Sequence, residues 1–114
     1  MKKQDIGQNG EGFVCERMQA EGFQILDRNI RFKFGELDIV AKENDILCFV
    51  EVRTREDSRM GHPLETISLK KQKTIRRAAE FYLLRRNITN QAIRFDVAYI
   101  VWSTMEYGYL RDVF

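Results

Sequence analysis

An α/β fold with a mixed central sheet flanked by helices, in the order αβββαβ(β), is the architecture this 114-residue sequence predicts. Three observations lead there. A stretch of helical periodicity closed by a glycine opens the chain. Three short runs rich in β-branched and aromatic residues follow, with turn residues between them. A second, amphipathic helical stretch then leads into an apolar run with strand character.

From about Asp5 to Glu21, Val14, Cys15 and Met18 recur at helical spacing and Gly22 ends the pattern, which makes this the first helix. Gln24 to Lys33, Glu36 to Lys42 and Ile46 to Arg55 read as a three-stranded meander, broken by Gly35 and by Glu43-Asn44-Asp45 with its Asn-Asp turn. Glu56 to Leu64, holding Gly61 and the sole proline, Pro63, reads as a loop. Ser68 is the expected N-cap of a second helix, because Ile75, Ala78, Ala79, Tyr82 and Leu83 fall at i, i+3, i+4, i+7 and i+8 and the pattern ends near Asn87. Ile93 to Trp102 reads as another central strand, and Tyr107 to Phe114 as a short edge strand.

Length and a 44% hydrophobic content suit one domain over residues 1–114 with one core. With 32% charged residues and a net charge of only +2, overall charge neither demands nor excludes a polyanionic partner. The two cysteines, Cys15 and Cys48, lie in apolar-patterned segments, which suggests reduced core residues and a cytoplasmic protein. The opening MKKQDIGQNGEGF has no apolar stretch behind its lysines, so no signal peptide is expected, and no run is long enough to span a membrane. There is no internal repeat and no low-complexity segment.

Within the meander, "FGELDIVAKENDILCFVEVRTR" sets Glu36, Asp38, Glu51 and Arg53 among apolar residues. A buried carboxylate is costly unless it is paired, hydrogen-bonded or bound to a metal. Strand periodicity gives Glu36 and Asp38 one face, and Glu51 and Arg53 one face. Glu11, three, four and seven residues before Val14, Cys15 and Met18, belongs to the helix face that packs on the sheet. If the first helix covers the face carrying Asp38 and Glu51, then Glu11, Asp38, Glu51 and Arg53 converge on one pocket. Such an oxygen-rich set suits Mg²⁺ or Mn²⁺ held by Asp38 and Glu51, with a neighbouring cation for a phosphate, and metal-assisted phosphodiester hydrolysis fits it. A zinc site does not: His62 is the only histidine and reads as an ordinary loop residue, and there is no CxxC pair. No Ser or Cys sits in a nucleophile elbow, and Gly7, Gly10 and Gly12 match neither GxGxxG nor a P-loop.

An Asp on one strand, "VEVR" on the next and a helical Glu before them resemble the PD-(D/E)xK nuclease signature. More closely, "GQNGEGFVCERMQAEGFQILDRN", "GELDIVA", "FVEVRTR" and "IRFDVAYI" resemble the YraN-type family of uncharacterised bacterial proteins, similar in turn to archaeal Holliday-junction resolvases. The resemblance covers Gly7 to about Ile100 and implies a restriction-endonuclease-like fold. It implies that Glu11 is the helical acid, Asp38 and Glu51 the strand acids, and that Arg53 takes the position usually held by lysine. Leu37 stands where the signature often has proline. Arginine stays charged and cannot serve as a general base, so Arg53 would orient a water or bind the scissile phosphate, and any base role passes to a carboxylate or to water activated by the metal.

Each of these residues has a plainer reading beside it. Asp38 and Glu51 can form a structural ion pair with Arg53, Glu11 can be a first-turn acid favoured by the helix dipole, Glu36 can sit at the pocket's edge, and Asp96 can pair with Arg94 or an arginine of the meander. Leu69 to Arg86 carries seven basic residues against Glu80 alone, which gives the second helix either a solvated basic side or a phosphate-binding one. Arg55, Lys73, Arg76 and Arg77 are the expected nucleic-acid contacts. Two functions follow from this reading: a metal-dependent endonuclease acting on DNA, with branched DNA and a symmetric homodimer as the resemblance suggests, or a nuclease-fold nucleic-acid-binding module without turnover.

Overall fold

Three short turns and one long crossover decide how the strands pair. The computed structural model describes residues 3–57, 59 and 67–114, with side chains from residue 10 in the first helix. Helix α1 spans Lys3–Ala20, β1 Gln24–Phe32, β2 Gly35–Glu43, β3 Ile46–Arg55, α2 Leu69–Arg85, β4 Ile93–Val101 and β5 Glu106–Leu110. This is the predicted order, with five strands lying in sequence across one sheet. Of the expected loop at Glu56 to Leu64, residues 56, 57 and 59 are among those described, and Gly61, His62 and Pro63 lie outside them.

The Asn44-Asp45 loop closes the β2–β3 hairpin, with Asn44 at φ 54°, a left-handed conformation that asparagine tolerates better than most residues. Among the described residues, β3 and β4 are the only parallel neighbours, so a crossover must join them, and α2 supplies it. Ser68 starts that helix: its hydroxyl oxygen accepts the Lys71 amide at 3.2 Å. Strand β5 ends at Leu110, short of the expected Phe114. The chain then folds back, Val113 N–H donating to the Phe95 carbonyl at 2.9 Å and the Phe114 ring lying 5.4 Å from that of Phe95.

The helices cover opposite faces. Val14, Cys15 and Met18 of α1 pack on Ile39, Ala41, Cys48, Val50 and Ala98. Ile75, Ala78, Ala79 and Tyr82 of α2 pack on Val40, Leu47, Phe49 and Phe95. Both faces of β3 are thus buried, which is why ILCFV reads as a continuous apolar run instead of an alternation. Each fully buried side chain of this kind contributes about 1.5–3 kcal/mol.

One irregularity of the sheet creates the site. The β2–β3 ladder runs from Glu43↔Ile46 to Ile39↔Val50 and stops. Beyond it β2 remains paired with β1 as far as Gly35, while β3 follows β4 as far as Arg55↔Val101. The sheet therefore forks, and the first positions past the last rung are Asp38 and Glu51.

Candidate active site

At the fork the Val52 amide has no strand partner, and an unpaired N–H there would be costly. The Asp38 carboxylate supplies the acceptor at 2.9 Å, so Asp38 replaces a rung of the ladder with a side chain. Glu51 shares the face of Leu47 and Phe49, which is the α2 face, and its carboxylate lies 3.6 Å from the Lys71 ammonium. The Asp38 and Glu51 carboxyls are close enough to act on each other's ionisation. Arg53, two residues along the same face, lies close enough to act electrostatically on Glu51.

Burial raises both acids, and the Glu51 charge raises Asp38 further. Asp38 is pushed up chiefly by loss of solvent and then by the Glu51 charge, against the stabilising Val52 amide. Glu51 is raised by burial, with Lys71, the Asp38 hydrogen bond and Arg53 opposing. Two half-buried carboxyls this close cannot both ionise without compensation, so the pair retains a proton above the ordinary carboxylate range. The site opens into a cavity of about 510 Å³ bordered by Glu51, Arg53, Arg55, Ser68 and Lys71.

Glu11 approaches from the α1 side instead. Its pKa is pushed up to about 7, first by burial and then by Asp38. With the Asn29 amide oriented to satisfy both groups, Asn29 donates to the Glu11 carboxylate at 2.8 and 3.1 Å. The expectation that α1 covers the face of Glu51 thus fails: strand alternation puts Glu51 under α2, and the three acids straddle the fork. Among the described residues, no three His, Cys, Asp or Glu side chains are grouped closely enough to hold a metal ion together.

Lys71 is the participant that sequence reasoning placed on the solvent side. Its signal was present, because a basic first turn opposes the helix dipole, and α2 has no acid there to compensate. The compensating acid is Glu51, distant in sequence.

The remaining expected residues divide. Arg55 lines the cavity, its Nη1 donating to the Thr54 carbonyl at 2.9 Å. Lys73 is exposed on α2. Arg76 lies 4.6 Å over the Phe95 ring and Arg77 4.1 Å over Phe34, so the basic side of α2 is ordered by aromatic faces as well as hydrated. Glu36 sits at the edge, 3.6 Å from Arg31. Asp96 is structural: fully buried, it accepts from Arg94 Nε and the Asp112 amide at 2.8 Å each and from the Tyr109 hydroxyl. Both cysteines are buried and free. No helix among the described residues is long and apolar enough to cross a membrane.

The model of a family described as uncharacterised protein family UPF0102 matches residues 10–100, which include Glu11, both fork acids, Arg53 and α2. A UPF0102 protein of Dictyoglomus turgidum is 39% identical over the whole of both chains. One from Caldicellulosiruptor saccharolyticus is 42% identical over 85% of this chain and 82% of its own. Another, from Clostridioides difficile, is 35% identical over the whole of both.

Proposed function

The chain belongs to uncharacterised protein family UPF0102, and from the chemistry of its forked sheet we propose that it is a metal-dependent endonuclease hydrolysing phosphodiesters in DNA. One observation carries this reading: two largely buried carboxyls, Asp38 and Glu51, act on each other, and Glu51 borders an open cavity together with Lys71 and Arg53. The donor set fits a hard divalent cation, since Mg²⁺ commonly takes one or two carboxylates and completes its shell with water and phosphate oxygens. Asp38 and Glu51 would hold it. When bound, the ion supplies Lewis-acid activation and charge neutralisation at the phosphate.

The chain's own residues do the rest. Lys71 and Arg53 neutralise non-bridging phosphate oxygens and fix the scissile group over the acid pair. Arg55 holds the flanking backbone at the rim. The Val52 amide orients Asp38, so its carboxylate need not reorganise. Branched DNA is the substrate suggested by resemblance, and a symmetric dimer would present two such sites to two strands.

A second reading rests on the Lys71–Glu51 contact, which can neutralise Glu51 without a metal and leave a binding module lacking turnover. The two are separated by incubating labelled linear, flapped and four-way DNA with Mg²⁺, Mn²⁺ or EDTA. A nuclease cuts with metal only, and Asp38→Asn or Glu51→Gln abolishes cutting while DNA binding persists. Absence of cleavage under all these conditions, with binding intact, selects the module.

A further inference from the structure

We propose that the β1–β2 hairpin tip and the outer side of α2 form a stacking platform for unpaired bases, so that the nucleic acid recognised carries a single-stranded segment; its service to cleavage rests on the nuclease reading above. Phe32 and Phe34 flank the tip with centroids 5.5 Å apart and planes 15° from parallel. Phe81 of α2, 38% exposed, closes the group at 6.0 and 5.3 Å. Arg77 lies 4.1 Å over Phe34 and Arg85 5.0 Å over Phe32, both guanidinium groups belonging to exposed residues. Bases stack on aromatic rings and on guanidinium planes alike, whereas a duplex backbone asks only for cations and has no use for half-exposed rings.

Position and rigidity support the same occupant. A cavity of about 440 Å³ follows the tip from Arg31 to Glu36 and reaches Lys71, which also borders the acid pair's cavity. A strand stacked on the rings therefore runs towards Asp38 and Glu51. The tip is seated against α2: a Cβ on Gly35 would collide with Thr74 Cγ2, so the rings are held in place before any ligand arrives. Arg31, Lys33, Arg77 and Arg85 supply the charge for the strand's phosphates.

The test measures fluorescence anisotropy of the full chain in EDTA with a short labelled oligothymidylate, a base-free strand of equal length and a blunt duplex. Oligothymidylate is expected to bind about ten-fold more tightly than the base-free strand. Phe34→Leu with Phe81→Leu, which keep apolar volume, should remove that advantage and leave duplex affinity within about two-fold. Thermal melting confirms folding, and Arg77→Ala, which leaves the rings in place, should also weaken oligothymidylate binding. Equal affinity for the based and base-free strands, or none of this dependence on the rings, overturns the platform. So does a solution dimer lost in Phe81→Leu, which assigns the surface to a second copy. Ring-dependent binding without metal-dependent cutting keeps the platform and removes only the nuclease reading; cutting with ring-independent binding does the reverse.

Discussion

Lys71 and Glu51 form the contact on which residue-level chemistry turns. Lys71→Met keeps the stem and removes the ammonium, and is expected to lower the single-turnover cleavage rate by about 10²-fold, the usual effect of deleting one charge-stabilising donor. A melting temperature at or above wild type would show that fold survived. Arg53→Lys should retain or raise the rate, since lysine keeps the charge, and a loss as large as that of Arg53→Ala would show that the planar fork itself is required. Glu43 belongs to a different set, bound to Arg111 at 2.6 Å and to Arg94 at 2.7 Å. Those guanidinium groups, Arg111 first, hold its carboxyl down to about 2 from 4.5. Its stabilising effect is therefore complete above about pH 4.5 and lost as pH falls towards 2. Glu43→Gln should melt below wild type at pH 6, with the gap closing at pH 3; a gap independent of pH would mean packing, not charge, is at stake.

At the level of elements, α1 and α2 each fix one part of the site through a small residue. Gly10 brings α1 against β3, because a Cβ there would collide with Thr54 Cγ2. Gly10→Ala should cost roughly 1–3 kcal/mol through overpacking, despite alanine's better helix propensity, and should shift Glu11 from Asn29. Calorimetry reads the first effect, and a stabilised variant would contradict the close approach. Ser68 caps α2 through the Lys71 amide, so Ser68→Ala should cost about 1 kcal/mol and, on the proposed nuclease reading, lower cleavage together with it, because the capped residue also supplies the cation beside Glu51.

For the whole molecule, the paired acids predict a response to metal and the basic surface a response to salt. Mn²⁺ at about 100 times its dissociation constant should add about 2.7 kcal/mol and raise the melting temperature by several degrees, with Asp38→Asn abolishing the shift. An equal shift in that variant would put the ion elsewhere. DNA affinity should fall linearly on a log scale with salt, and Arg76→Ala with Arg77→Ala should make the slope shallower; an unchanged slope would confine those arginines to their contacts with Phe95 and Phe34.

Local pattern sufficed for the elements because their causes are local. The 3.6-residue spacing from Ile75 to Leu83, the Asn44-Asp45 turn, the Ser68 cap and the doubly apolar ILCFV run each carry their signal within a few residues. The same holds for the candidate acids, since a carboxylate inside an apolar strand is conspicuous wherever the strand goes. That Asp38 and Glu51 belong to one site was an expectation of the sequence; the geometry that joins them and the helix that covers them were not legible. Asp38 and Glu51 face each other because the β2–β3 ladder ends at Ile39↔Val50, and Glu11 acts on Asp38 from the α1 side because α1 and α2 cover opposite faces of the sheet. Lys71 meets Glu51 only through the crossover that brings α2 back over β3. Pairing register and crossover geometry depend on contacts between residues far apart in the chain, so the tertiary structure alone could decide them.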